Sequence, residues 1–156
     1  MTDDRDVPER LAELERRVAA LEGAGAPTRS EPGTGTVRYA GEVHLHGDVT
    51  WEIALDAATA LDLADEPRVA VLAALGHPAR ARIVRSLLAD GPRSTSALQE
   101  AAELASTGQL YHHLRTLTHS GLVEQDGRGS YRVNARAVVP VLVLLTAAAD
   151  VAGQLR

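Results

Sequence analysis

The chain has 156 residues, 45% of them hydrophobic, which suffices for one modest core with appendages. It contains no cysteine, which excludes disulfides, thiolate metal sites and cysteine nucleophiles. Its net charge of −5 is unevenly spread: residues 1–65 carry 6 arginines against 14 acids, residues 66–136 carry 9 against 6, and residues 137–156 balance. A basic excess confined to one segment of an acidic chain is the footprint expected where that segment meets phosphate. The opening MTDDRDVPER is too acidic for a signal peptide. The most apolar run, Val138 to Ala149, is too short to span a bilayer and contains Pro140. A cytoplasmic protein with no membrane contact is expected.

In chain order, Val7, Leu11, Leu14, Val18 and Leu21 follow the a/d rhythm of a coiled coil, which predicts a helix over 1–22. A parallel homodimer would set Arg10 against Glu15 and Arg17 against Glu22 across the seam. The bland alternative is a lone surface helix, since the repeat covers under three heptads. Residues 23–36 hold four glycines and two prolines and read as a flexible linker. From 37 to 55 the period becomes two: Val43 and Leu45, then Val49, Trp51 and Ile53, alternate with polar residues around a Gly47-Asp48 turn. A β-hairpin follows. An odd loop length is expected, because it sets Val43 and Leu45 beside Val49 and Trp51 on one face. His44 and His46 could ligate a metal, but no third ligand has clear spacing; the plain reading is the solvent side of a half-buried strand.

Residues 56–156 predict the main domain. A short helix near Asp56–Leu63 leads to one opened by Pro67 and closed by Gly76. Pro78 then starts another, with Ile83, Leu87 and Leu88 inward and Arg80, Arg82 and Arg85 outward. Gly91-Pro92 ends it, and Ser94 caps a short helix through Leu98 and Ala102. Ser106 with Gln109 is a capping box opening the next. There Leu110, Leu114 and Leu117 form the buried stripe, His113 packs near the core, and Gly121 stops the helix. Its free side carries Gly108, Gln109, Tyr111, His112, Arg115, Thr116 and His119, side chains that suit a major groove. Two short helices joined this way read as a helix-turn-helix. The hairpin after Gly121, with Asp126-Gly127-Arg128-Gly129 at its tip, reads as a wing whose arginine can reach a phosphate or minor groove. The final helix is apolar nearly all round from Val138 to Leu145, so both of its sides need cover. One side can lie on the winged core and the other on a second subunit.

The strings LAALGHPARARIV, TGQLYHHLRTL and SGLV, in this order of elements, resemble the ArsR/SmtB family of bacterial winged-helix repressors over roughly Pro67 to Ala152. The resemblance implies a homodimer that binds double-stranded DNA at a palindromic operator and releases it on a signal. Two departures stand out. The family's thiolate sites need cysteine, and its site on the final helices needs His and acids where Val138–Arg156 offers only Asp150. No metal site and no cofactor are therefore expected, which leaves an unidentified small-molecule effector. The turn between the paired helices is also longer than usual, with Ala105 where the family often has glycine.

The expected fold is mainly α with small β elements: a winged helix-turn-helix with an N-terminal coiled-coil helix, a β-hairpin extension and a C-terminal dimerisation helix. The candidate DNA-binding residues are Thr95, Thr107, Gly108, Gln109, Tyr111, His112, Arg115, Arg128 and Arg132. The candidate dimerisation residues are Leu11, Leu14, Val18 and Leu21 at one end and Val138, Val141, Leu142, Leu144 and Leu145 at the other. The expected function is a sequence-specific transcription regulator of the repressor type. The alternative is a winged-helix interaction module that has lost DNA binding and works through its coiled coil and acidic arm. No phosphate loop, G-x-S-x-G elbow or HExxH points to an enzyme.

Overall fold

The computed structural model describes residues 10, 12–18 and 35–156. The chain divides into two units, 1–35 and 36–156. In the first, residues 10 and 12–18 are helical, Glu13 and Arg16 pair at 3.3 Å, and Leu14 and Val18 are exposed. Val7, Leu11, Leu21, Glu22 and most of the 23–36 linker lie outside the described residues.

The second unit opens with β1 (Thr36–Val43) and β2 (Val49–Asp56), paired antiparallel from Thr36 opposite Asp56 to Val43 opposite Val49. The loop 44–48 has the expected odd length. Val43 does lie against Val49, but Gly41 faces Trp51, and Leu45 is in the loop rather than the strand. Gly41 is where the hairpin meets the last helix: a Cβ there would fall 2.7 Å from Val139 Cγ1. Backbone contact with a valine explains why a strand tolerates glycine at this point.

Next come α1 (Ala57–Asp62), α2 (Asp65–Leu75) and α3 (Pro78–Asp90). Asp56 caps α1 by accepting Thr59 N–H at 3.0 Å. α2 starts two residues before Pro67, because Asp65 and Glu66 suit a first helical turn. Pro78 occupies the first turn of α3, whose buried side is Ala79, Ile83, Val84, Leu87 and Leu88. Arg80 and Arg82 do not simply face out. Arg80 donates to the carbonyls of Ala74 and Ala73 at 2.7 and 2.9 Å, and Arg82 to Ala102 O at 3.1 Å. Each satisfies carbonyl groups left open where a helix ends.

The two-residue β3 (Arg93–Ser94) precedes α4 (Thr95–Ala101), and α5 (Thr107–His119) follows a short turn. The wing is β4 (Val123–Gln125) and β5 (Ser130–Val133). β3 adds a third strand in the order β3-β5-β4, pairing Arg93 with Tyr131 and Ser94 with Ser130. A single 3-10 turn over Ala135–Ala137 leads into α6 (Val138–Val151). One core joins these parts: Ile83, Leu98, Leu110, Leu117 and Val141 are all fully buried. Side chains of that size contribute about 1.5–3 kcal/mol each on burial, so this cluster fixes how α5 stands on the scaffold.

Candidate nucleic-acid interface

α5 is held from both ends and beneath. Ser106 Oγ accepts Gln109 N–H at 3.3 Å, as the capping pattern requires. At the other end Gly121 takes φ of 73°, and Leu122 N–H returns to Leu117 O at 3.1 Å, with Leu122 buried. Leu110, Leu114 and Leu117 are at most 1% exposed, so the apolar stripe is fully used. The left-handed residue in the turn before α5 is Glu103, at φ of 54°, and not Ala105.

Gly108, Gln109, Tyr111, His112 and Arg115 all lie on the exposed face, and Tyr111 is 51% exposed. No carboxylate among the described residues pairs with Arg115 or Arg128. Arg128 stands at the wing tip between Gly127 and Gly129, both at positive φ. The tip is fastened to the helix pair, since Thr95 N–H donates to Gly129 O at 3.1 Å. Half-buried Thr95 is therefore beside the wing, at the start of α4.

Two residues of the expected set also make contacts within the chain. The Thr107 hydroxyl donates to Gln99 Oε1 at 3.1 Å, tying α5 to α4. Arg132 is held by Glu124 at 2.7 Å and Asp126 at 3.3 Å, and these carboxylates raise its pKa further. These contacts brace the wing, and the Arg132 side chain stays 52% exposed. Val141, expected at a subunit interface, is wholly inside the core of its own chain. That correction has a simple cause: on a helix apolar all round, periodicity cannot say which side faces inward.

His113 is buried beside His77, with ring centroids 4.6 Å apart, and its Nδ1 has no partner. Desolvation, and then the neighbouring His77, Arg80 and His112, lower its pKa from the ordinary 6.5. In the hairpin, His44 Nδ1 meets Asp48 at 2.7 Å, while His46 Nε2 donates to Ala89 O at 3.1 Å. The two histidines thus serve separate contacts. Sequence reasoning missed the bracing roles of Arg80, Arg82 and Arg132, for which the only signal was arginine near helix or strand ends.

With this geometry in place, residues 75–126 match a family described as Helix-turn-helix domain, from the end of α2 to the wing tip. Among solved structures, HlyU from Vibrio cholerae N16961 is similar at 29% identity, covering 51% of this chain and 88% of that one, with a TM-score of 0.45. No curated protein matches the chain. Among the described residues, no helix is long and apolar enough to cross a membrane.

Proposed function

We propose that this chain, whose residues 75–126 match a helix-turn-helix family, is a DNA-binding transcription regulator of the ArsR type that works as a homodimeric repressor on a palindromic operator. The observation that carries the reading is the combination of a capped, core-anchored α5 with two arginines that no carboxylate among the described residues compensates, Arg115 on its free face and Arg128 on the wing. Gln109 and His112, near the start of α5, meet base edges, where glutamine can pair bidentately with adenine. Arg115 and Arg128 hold phosphates, and Tyr111 lies against the groove wall. Subunits pair through Val138, Leu142, Leu144 and Leu145, which α6 leaves only half-buried, and α2 adds exposed Val69 and Leu72. The exposed Leu14 and Val18 support a second, weaker contact through the N-terminal helix. Without cysteine, release of DNA does not use a thiolate metal site.

Selection of bound duplexes from random DNA by the purified full chain tests this reading. The expected result is a two-fold-symmetric motif with half-sites about one helical turn, roughly 34 Å, apart. Recovery of no motif, with binding indifferent to salt, would instead favour the interaction-module alternative.

A further inference from the structure

Between the β1–β2 loop and the winged core lies a cavity of about 220 Å³. Val43 and Val49, the last pair of the hairpin, form one wall, and Leu45 stands at 49% exposure on the loop above them. Leu88 of α3 and Val133 of β5 close the far side. The polar side chains that reach it are His46 and Arg132, and both are already engaged. His46 pins the loop to the end of α3 through Ala89 O, and its ring lies so close that a Cβ on Gly91 would fall 3.1 Å from Nδ1. Arg132 is committed to Glu124 and Asp126.

We infer that this cavity is the site of a small, uncharged, largely apolar effector, about the size of a fused two-ring aromatic. An anion would compete with two carboxylates already on Arg132, and a cation would meet that guanidinium. A neutral guest meets neither cost. Apolar cavities of about 150 Å³ accept benzene, so one half as large again accepts about nine non-hydrogen atoms. The hairpin that supplies the wall lies outside the matched residues 75–126. The opposite side is the wing strand itself. A guest pressing on Val133 moves the strand whose Arg132 braces Glu124 and Asp126, and with them the tip that carries Arg128. Occupancy therefore changes DNA affinity. Only this last consequence rests on the regulator reading; guest binding does not.

The test is calorimetric titration of the full chain with indole, a neutral molecule of about nine non-hydrogen atoms, and with benzoate as an anion of equal size. Indole is expected to bind, with benzoate at least about tenfold weaker. Val49→Trp, which fills the space, should abolish binding, and Leu45→Gln, on an exposed loop, should weaken it while leaving the fold intact. Indole should also change DNA affinity at least about threefold in the unaltered protein and not in Val49→Trp. No indole binding by folded protein, or binding undiminished in both variants, overturns the site. Indole binding with unchanged affinity in a protein that does bind DNA overturns the effector role. Indole binding abolished by Val49→Trp and weakened by Leu45→Gln, in a chain that binds no DNA, would uphold the site and overturn the regulator reading instead.

Discussion

α5 and α6 are nearly equal in length, at 13 and 14 residues, yet they leave opposite kinds of surface unsatisfied. α5 buries every leucine it has and turns Gln109, Tyr111, His112 and Arg115 outward. α6 fully buries only Val139 and Val141, leaving Val138, Leu142, Leu144 and Leu145 partly open to water. The groups exposed on α5 can be satisfied by bases and phosphates, whereas those on α6 gain only by covering apolar area. The difference argues for two partners of different chemistry, nucleic acid at one helix and a second copy of the chain at the other.

The sharpest way to break the comparison is to give α6 the character of α5. Leu144→Asp should leave the monomer folded, because Leu144 lines an open cleft with Val71 and Pro140. Under the dimer reading it places an unpaired carboxylate in the interface, at about 3–5 kcal/mol, or a hundredfold or more in association. Sedimentation velocity at micromolar protein should then show monomer. An unaltered dimer would remove α6 from the interface.

A second effect concerns His113, the buried polar side chain of α5. His113 has a lowered pKa in the folded protein, so the unfolded chain binds more protons as pH falls below about 6.5. Stability contributed by the neutral ring is present above that value and is lost on acidification towards the lower folded pKa. Urea midpoints measured from pH 8 to pH 5 should fall, and His113→Leu should flatten that part of the profile. An equal fall in the variant would assign the pH dependence to other groups.

The smallest expected effect is at Glu103, which takes a left-handed φ that side chains with a Cβ adopt at roughly 1–2 kcal/mol. Glycine removes that strain but adds freedom to the unfolded chain, so Glu103→Gly should be neutral to about 1 kcal/mol stabilising. Thermal unfolding would show it. A clear loss of stability would mean that the Arg82–Glu103 pair, at 3.8 Å, contributes more than an exposed ion pair should.

What was legible in the sequence follows the same division. The ends of α5 were readable because Ser106 and Gly121 act locally, through one hydroxyl and one left-handed backbone. The inward stripe was readable because a helix with distinct faces has only one way to sit. The hairpin's odd loop also followed from pattern, but its length of five, which sets Gly41 rather than Val43 opposite Trp51, did not, since all odd lengths keep the same face and the fold chooses among them. The duties of Arg132, Arg82 and Thr107 were hidden for the same reason: their partners are set by the fold, not by spacing. Arg128 and Arg132 are alike in sequence and unlike in structure: among the described residues no carboxylate pairs with the first, and two hold the second.

The most direct test of the central claim, that α5 reads bases while the wing holds phosphate, is a salt-dependent titration of Gln109→Ala and Arg128→Ala on selected and scrambled DNA. Gln109→Ala should cost about 1–3 kcal/mol on the selected site, relax preference at one base pair in each half-site and leave scrambled DNA unaffected. Arg128→Ala should weaken both DNAs alike and flatten the salt dependence by roughly one unit of slope for each phosphate it no longer neutralises. Equal weakening on both DNAs for Gln109→Ala, with altered base preference for Arg128→Ala, would contradict the account and reverse the two roles.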